Sequence, residues 1–310
     1  MTYPNVLLGL AQALLLLAIA PLFAGISRVL RARIHSRRGP GVLQEYRDIA
    51  KLLKRQSVAP GASGLTFRAM PYLLTGTLLA IACALPMLTT ASPLPAIGDV
   101  ITLIYLFAVV RFVFAIAGLD TGSPFTAIGA SREAVLGILV EPILLLGLWV
   151  TALVAGSTQL SAMVQSLLGL PHHAGLALLA GLACAFATYI EMGKLPFDMA
   201  EAEQELQEGP LTEYSGVELG IIKWGISLKQ LVVLQLFLGV FLPWGQAAQL
   251  TAPQLLTGLV LALLKLLCAV TLIALIENSV ARLRFLKTAR TTWAGFGLAF
   301  LALVSWLVVG

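Results

Sequence analysis

The sequence predicts an all-α integral membrane protein. Of its 310 residues, 59% are hydrophobic and only 11% are charged, and a soluble domain of this length needs far more charge to cover its surface. The apolar residues also come in runs of roughly 20, the length of a helix that crosses the hydrocarbon core of a bilayer. We therefore expect one polytopic membrane domain, 1–310, with about eight transmembrane helices.

The apolar runs and the polar loops between them place these spans. The first run has no basic segment before it and no small-residue cleavage site, so we expect a retained helix rather than a signal peptide. The eight predicted spans are 6–27, 71–91, 100–118, 134–156, 175–193, 224–245, 255–277 and 293–309.

Lysine and arginine are concentrated on one side of this arrangement. Loops 28–70, 119–133, 194–223 and 278–292 hold 17 of the 20, three lie within spans, and the loops on the opposite side hold none. The positive-inside rule then predicts that the basic side is cytoplasmic and that both termini face outward. The net charge of +5 follows from this topology, so we expect no nucleic-acid partner.

Cysteine and histidine usage bears on cofactors. The three cysteines fall singly in three different spans, without a CxxC pair or a nearby histidine. Iron–sulfur clusters and structural zinc sites need clustered ligands of these types. No two histidines occupy span positions that could bracket a haem. We therefore expect this chain to bind no metal or redox cofactor of its own.

The first basic loop contains two features. Residues 28–41, RVLRARIHSRRGPG, form a basic run that ends in a Gly-Pro-Gly break. Residues 42–56, VLQEYRDIAKLLKRQ, place apolar and basic side chains on opposite projected faces, which predicts an amphipathic helix in the headgroup plane. This region either only lies on lipid or also docks a peripheral protein. The residues concerned are Arg37, Arg38, Gly39, Pro40, Arg47 and Lys51.

A second loop is unusually acidic. Residues 194–216, KLPFDMAEAEQELQEGPLTEYSG, contain six acidic residues, and Glu218 follows. Asp198 and Glu201 have the spacing of a capping box, and Gly209-Pro210 would stop the helix that it begins. One alternative is a solvated charge run, and the other is a carboxylate cluster whose pKa values shift beside hydrocarbon. A helix here would place Asp198, Glu201, Glu205 and Glu208 on one face, with Glu203 pointing away.

Ionisable residues also lie in the predicted spans or at their ends, where burial is costly and idle charges are rare. Arg111 and Glu141 have similar depths in neighbouring spans, which predicts an ion pair. Pro142, next to Glu141, removes one backbone hydrogen bond of the helix. Such charges either pair structurally or form a chain of titratable groups that carries protons into the bilayer. The set is Arg111, Asp120, Arg132, Glu133, Glu141, Glu191, Lys229, Lys265 and Glu277.

Three motifs resemble the membrane subunit of respiratory complex I that borders the quinone cavity. They are RRGPG from Arg37, EMGKLPFDMAEAEQEL from Glu191 and EYSG from Glu213, and the similarity covers nearly the whole chain. Met192-Gly193-Lys194 and the KWGISLKQ around Lys229 depart from that subunit. The chain instead resembles the membrane-bound, energy-converting [NiFe]-hydrogenase branch, of the hydrogenase-4 and formate hydrogenlyase type.

This resemblance implies a non-catalytic membrane subunit with several partners. They would be the [NiFe]-hydrogenase large and small subunits, an iron–sulfur subunit and antiporter-like membrane subunits, with membrane lipids around them. The [NiFe] centre and [4Fe-4S] clusters would belong to the partners. The resemblance also implies that the coupling carboxylates are Glu191, Asp198, Glu201, Glu203 and Glu205, and the intramembrane charges add Glu141, Lys265 and Glu277 to the predicted proton path.

Two other functions stay open at this point. One is the quinone-site subunit of complex I itself, although the departures near Lys194 and Lys229 argue against quinone binding. The other is a stand-alone secondary transporter. Many such transporters have two repeats with an interrupted helix at the same position in each, and the sequence has no such pair of spans.

Overall fold

The computed structural model describes residues 3–61, 63–169, 174–199 and 203–309, and over these residues all named elements are helices. The predicted all-α membrane fold is confirmed. The helices are α1 (Tyr3–Ile34), α2 (Gln44–Leu52), α3 (Leu65–Ala84), α4 (Val100–Asp120), α5 (Pro124–Ala155), α6 (Leu160–Gly169), α7 (Ala174–Glu191), α8 (Glu203–Leu206), α9 (Gly216–Phe241), α10 (Ala252–Ser279) and α11 (Phe285–Val309), with a 3-10 turn at Gly209–Leu211.

Eight of these helices overlap the eight predicted spans, with ends that differ by up to ten residues: α1, α3, α4, α5, α7, α9, α10 and α11. In the described residues seven are long and apolar enough to cross a membrane, and α7 is a shorter apolar helix. Helices α1 and α5 have 32 residues each, or about 48 Å. That exceeds the roughly 30 Å hydrocarbon core, so their charged ends extend beyond the apolar layer.

The loops gather at two opposite ends of the bundle. At one end, isolated bridges join Thr89 to Ala247 and Asp99 to Gln159. At the other end lie the basic and acidic loops, where the Ser215 hydroxyl accepts a hydrogen bond from the Val58 amide at 2.8 Å. We call this second end the basic end.

Helix α9 lies at the centre of the bundle, because it packs against α1, α2, α3, α6, α7 and α10. Of its most apolar stretch, 61% is buried, against 22% for α10 and for α11. Those two helices therefore present most of their apolar side chains to the outside, as a lipid-facing surface requires.

The predicted amphipathic helix exists as α2, which packs against α1 and α9. Ile49 is buried, and the Tyr46 hydroxyl donates a hydrogen bond to the Ala18 carbonyl; burial raises the pKa of Tyr46. The predicted apolar face is only partly buried, because Leu43 and Leu53 are exposed. The predicted docking or lipid-surface residues Arg37, Arg38, Gly39, Pro40, Arg47 and Lys51 are all exposed.

Candidate functional site

A cluster of five charged side chains lies between α4, α5, α7 and α9. The Arg111 guanidinium donates hydrogen bonds to Glu141 and to Glu191, so the predicted Arg111–Glu141 ion pair is present. The Arg111 Nε atom lies 3.9 Å from Glu133. The Lys229 ammonium lies 3.4 Å from Glu133 and 3.6 Å from Glu191. We call these five residues the Arg111 cluster.

Glycine at position 137 makes room for this cluster. A Cβ atom at Gly137, on α5, would collide with the side chain of Arg111. The absence of a side chain therefore lets the guanidinium lie along α5, between Glu141 on the same helix and Glu191 on α7. In the sequence Gly137 is one of 28 glycines, and it was not among the predicted site residues.

The Arg111 cluster is buried and carries unequal charge. The side chains of Arg111 and Glu191 are 10% and 4% exposed, whereas that of Glu141 is 32% exposed. With every group ionised, three carboxylates face two cations. Burying charge without a partner is costly, so one bound proton on a carboxylate would balance the cluster.

Two cavities that share lining residues lie at the Arg111 cluster and at the basic end. The inner cavity, of about 80 Å³, is lined by four members of the cluster and by Asp198. A polar cavity of this size has room for water. The outer cavity, of about 590 Å³, lies among Arg31, Glu45, Glu277 and Arg282, and Asp198 lines it as well. Asp198 thus lines both the outer cavity and the inner cavity.

The acidic loop does not fold as predicted. Among the described residues, α8 covers Glu203–Leu206, and Asp198 lies outside any helix, so no helix begins at Asp198. Gln207 and Glu208 have positive φ angles, which end the helix. Phe197 and Met199 on either side of Asp198 are buried, and their burial holds this segment against the bundle as non-helical chain.

Three described carboxylates of this loop bind separate cations instead of sharing one face. Asp198 accepts from Arg282 at 2.6 Å, and Glu205 accepts from Arg132 at 2.7 Å. Glu208 lies 3.9 Å from Lys223. For the three described members of the predicted acidic face, Asp198, Glu205 and Glu208, the prediction is therefore wrong, because each has its own partner on another element. Glu201 and the side chain of Glu203 lie outside the described residues.

Glu277 and Lys265, both on α10, occupy different sites. Glu277 is buried and pairs with Arg31, which joins α10 to α1 beside the outer cavity. The Lys265 ammonium donates to the carbonyls of Leu242 and Trp244 at 2.8 and 3.2 Å. Those carbonyls follow the end of α9, at the end of the bundle opposite the basic end. The structure does not bring Lys265 to the Arg111 cluster.

Asp120 and Arg132 also have specific places. Asp120 accepts hydrogen bonds from the Gly64 and Phe67 amides at 2.9 and 3.1 Å. Asp120 therefore stabilises the start of α3, whereas we had predicted that it would form an ion pair. Besides Glu205, Arg132 has its guanidinium 5.5 Å from the ring centroid of Phe285, where α11 begins.

Several partners of these residues were not among the predicted site residues. Arg31 and Arg282, which bind Glu277 and Asp198, were counted only as basic-loop charges. Gln230 on α9 lines both cavities and donates to the Met192 carbonyl at 3.2 Å. In the described residues, no three His, Cys, Asp or Glu side chains converge as a metal site.

This bundle of apolar helices around buried charges defines a multi-pass integral membrane protein. More particularly, the chain belongs to the NADH dehydrogenase family, which it matches over residues 7–309. The resemblance found in the motifs is confirmed by this match.

Curated relatives narrow the similarity within that family. The chain is 66% identical over 304 residues to formate hydrogenlyase subunit 4 of Escherichia coli K12, which covers 98% of this chain and 99% of the relative. It is 58% identical over 303 residues to hydrogenase-4 component C of the same organism, covering 97% and 96%. With NADH-quinone oxidoreductase subunit 8 of Rhodothermus marinus the identity is 28% over 251 residues, covering 74% of this chain and 72% of the relative.

A solved structure shares the fold. It is a chain of the membrane-bound sulfane sulfur reductase, an archaeal respiratory membrane complex. The TM-score is 0.84 at 22% identity, and the match covers 97% of this chain and 99% of that chain. At this identity the likeness is one of fold alone.

Proposed function

We propose that this chain is the membrane anchor and proton-coupling subunit of a membrane-bound [NiFe]-hydrogenase complex of the formate hydrogenlyase or hydrogenase-4 type. The observation that carries the proposal is that Asp198 lines both the inner cavity, which holds four members of the Arg111 cluster, and the outer cavity. The 66% identity to formate hydrogenlyase subunit 4 over 98% of the chain supports the type of complex.

The proposed orientation has the basic end in the cytoplasm and both termini on the periplasmic side of a bacterial inner membrane. This orientation is supported by the distribution of Lys and Arg: 17 of the 20 lie in the loops of one side of the membrane, and none lies in the loops of the other side. The hydrogenase large and small subunits and the iron–sulfur subunit would then dock on the basic end. The exposed residues Arg37, Arg38, Arg47 and Lys51 supply positive charge for that contact. The [NiFe] centre and [4Fe-4S] clusters belong to these partners, and antiporter-like subunits lie beside the chain in the membrane.

In this proposal the residues of the chain act in a fixed order. A charge or conformational change in the docked module acts on the outer cavity, where it loosens the Asp198–Arg282 pair. Asp198 then passes a proton through water in the inner cavity to the Arg111 cluster. Arg111 contacts both Glu191 and Glu141, so a proton arriving at one carboxylate frees the guanidinium to bind the other more strongly. Glu141, the more exposed of the two, releases the proton toward a neighbouring subunit.

The test compares Glu191→Gln and Asp198→Asn with Glu213→Gln as the matched control. Glu213 lies in the same loop as Asp198 and forms no ion pair in the part of the chain that the structure describes. In inverted vesicles that contain the assembled complex, formate-driven hydrogen evolution and proton uptake are measured together. In Glu191→Gln and in Asp198→Asn, we expect proton uptake per hydrogen evolved to fall at least tenfold. Both signals unchanged in fully assembled complexes would leave only the anchoring role.

The two remaining functions have their own observations. A quinone-site subunit predicts that quinone-site inhibitors stop turnover, and we expect hydrogen evolution to be insensitive to them. A stand-alone transporter predicts that the chain alone moves solute in proteoliposomes. We expect instead that it co-purifies in mild detergent with proteins that contain nickel and iron.

A further inference from the structure

Helices α10 and α11 diverge and leave a cleft on the outside of the bundle. Helix α10 packs against α1 and α9, whereas α11 packs against α5 and α7. The cleft between them has a volume of about 580 Å³ and is almost wholly apolar. We call it the lateral cleft, and Ala185, Tyr189, Phe237, Ala269, Ile276 and Val280 are among its lining residues.

The lateral cleft has the depth of one leaflet of a bilayer. Its lining residues run from Ala269 on α10 to Val280, the residue after that helix, and the helical part of this segment is about 15 Å long. Half of a hydrocarbon core is about 15 Å. The cleft includes Phe237 on α9 and ends at the basic end, beside Leu283. Leu272 and Ile276 are exposed along it, so it is open to the lipid side.

Three cations without acidic partners lie at the basic end of the cleft. Arg284, Lys287 and Arg290 are exposed, and none forms an ion pair among the described residues. In contrast, the nearby Arg282 is bound to Asp198. Lys287 precedes Thr291, a lining residue, by one helical turn, so both lie on the same face of α11.

We propose that the lateral cleft binds one phospholipid with an anionic headgroup. Its acyl chains lie between α7, α9, α10 and α11, and its phosphate binds Arg284 and Lys287, with Arg290 beside them. The charges select this occupant, because a neutral lipid or a quinone would leave three cations unpaired at the mouth of the cleft. A transmembrane helix of a partner would span both leaflets, whereas the cleft is one leaflet deep.

The probe is phosphatidylglycerol, with phosphatidylcholine of the same acyl chains for comparison. Lipid binding to the purified full-length chain is measured by native mass spectrometry during titration in a lipid-like detergent. We expect one phosphatidylglycerol molecule to bind in preference to phosphatidylcholine, and millimolar inorganic phosphate not to displace it. Arg284→Gln with Lys287→Gln should weaken binding about 30-fold, from the roughly 1 kcal/mol that each basic residue contributes near a bilayer surface.

Two further variants separate the cleft from general charge. Ala269→Trp fills the cleft without a change of charge, and it should also remove the bound lipid. Arg55→Gln with Arg68→Gln removes the same charge from exposed positions on other elements, and it should retain the lipid. Equal binding of the two lipids, an unchanged affinity in the Arg284–Lys287 variant, or a partner protein that cross-links to Leu272→Cys and excludes lipid would overturn the proposal.

Discussion

Lys229 on α9 reaches Glu191 on α7, with its ammonium nitrogen 3.6 Å from a carboxylate oxygen. This lysine lies in KWGISLKQ, a stretch in which the sequence departs from the complex I subunit that it resembles. With Arg111, it provides the second cation of a buried cluster that holds three carboxylates. A cation between Glu133 and Glu191 permits both carboxylates to be buried while ionised, because each retains a partner.

Removal of Arg111 is expected to destabilise the protein strongly. Arg111→Leu would leave Glu191 buried with only the more distant Lys229, and breaking a buried ion pair costs about 3–5 kcal/mol. Thermal unfolding of the purified chain in detergent measures this loss. Arg68→Leu, at an exposed position, is the control and should leave the transition in place. A small shift for Arg111→Leu would show that the cluster contributes little to the fold.

Glu141→Gln is expected to separate stability from proton transfer. The substitution leaves two cations facing two carboxylates, and the glutamine carbonyl can still accept from Arg111, so we expect a cost below about 1 kcal/mol. Proton uptake in vesicles should nevertheless fall at least tenfold, because position 141 no longer titrates. An intact proton signal in this variant would place the proton path elsewhere.

The Asp198–Arg282 contact is expected to have a small but measurable energy. Both side chains are partly exposed, so a double-mutant cycle with Asp198→Asn and Arg282→Gln should give a coupling of about 1 kcal/mol. The exposed pair of Asp48 and Lys51, 3.9 Å apart, provides a comparison cycle with a coupling near zero. The free energies come from unfolding in mixed detergent. Equal couplings in the two cycles would contradict a specific role for Asp198 and Arg282.

Gly25→Ala is expected to displace α2. A Cβ atom at Gly25 on α1 would collide with the backbone carbonyl of Val42, which cannot move without the segment that leads into α2. Overpacking of this kind typically costs about 1–3 kcal/mol. Limited proteolysis at Lys51 and Lys54 should become faster as α2 separates from the bundle.

The matched control for that experiment is Gly76→Ala on α3, where a Cβ atom has nothing within 4 Å. It removes a helical glycine in the same way and should leave the cleavage rate unchanged or lower it. Equal rates in both variants would mean that α2 does not depend on the close approach at Gly25.

Tyr214→Phe is expected to weaken the contact between the acidic loop and α3. The Tyr214 hydroxyl donates to the Phe67 carbonyl at 2.7 Å, and the two rings stack with centroids 3.9 Å apart. The variant keeps the stacking and loses the hydrogen bond, at a cost of about 0.5–1.5 kcal/mol. Denaturant unfolding at neutral pH measures it, and Tyr72→Phe, at an exposed tyrosine, should have no effect.

The same residue has a defined pH dependence. Burial, with smaller effects from Glu218 and Asp120, raises the pKa of the Tyr214 phenol above its ordinary value of about 10. The folded state therefore holds this proton more tightly than the unfolded state. Its contribution is complete below pH about 10 and is lost as the pH rises through the folded-state pKa. Alkaline titration followed by tyrosinate absorbance should show one fewer late-titrating tyrosine in Tyr214→Phe.

The sequence by itself determined the membrane fold, the approximate places of the seven long helices and of the shorter α7, and the presence of α2. Long apolar runs can satisfy their backbone hydrogen bonds in lipid only as helices, so this part of the structure follows from composition alone. The Arg111–Glu141 pair was also predictable, because depth in a span can be read from distance to its end. The motifs around Glu191 by themselves indicated the family.

Only the tertiary structure decided how the other charges are partnered. A helical projection assumes regular backbone, and the burial of Phe197 and Met199 holds the acidic loop in another conformation. Lys265 has a span position as deep as the other charges, yet it lies with the carbonyls after α9 because of where α10 packs. Arg31, Arg282 and Gly137 had no local signal, since each acts on a residue distant in the chain. Ion pairs between helices depend on which helices are neighbours, and that is a property of packing.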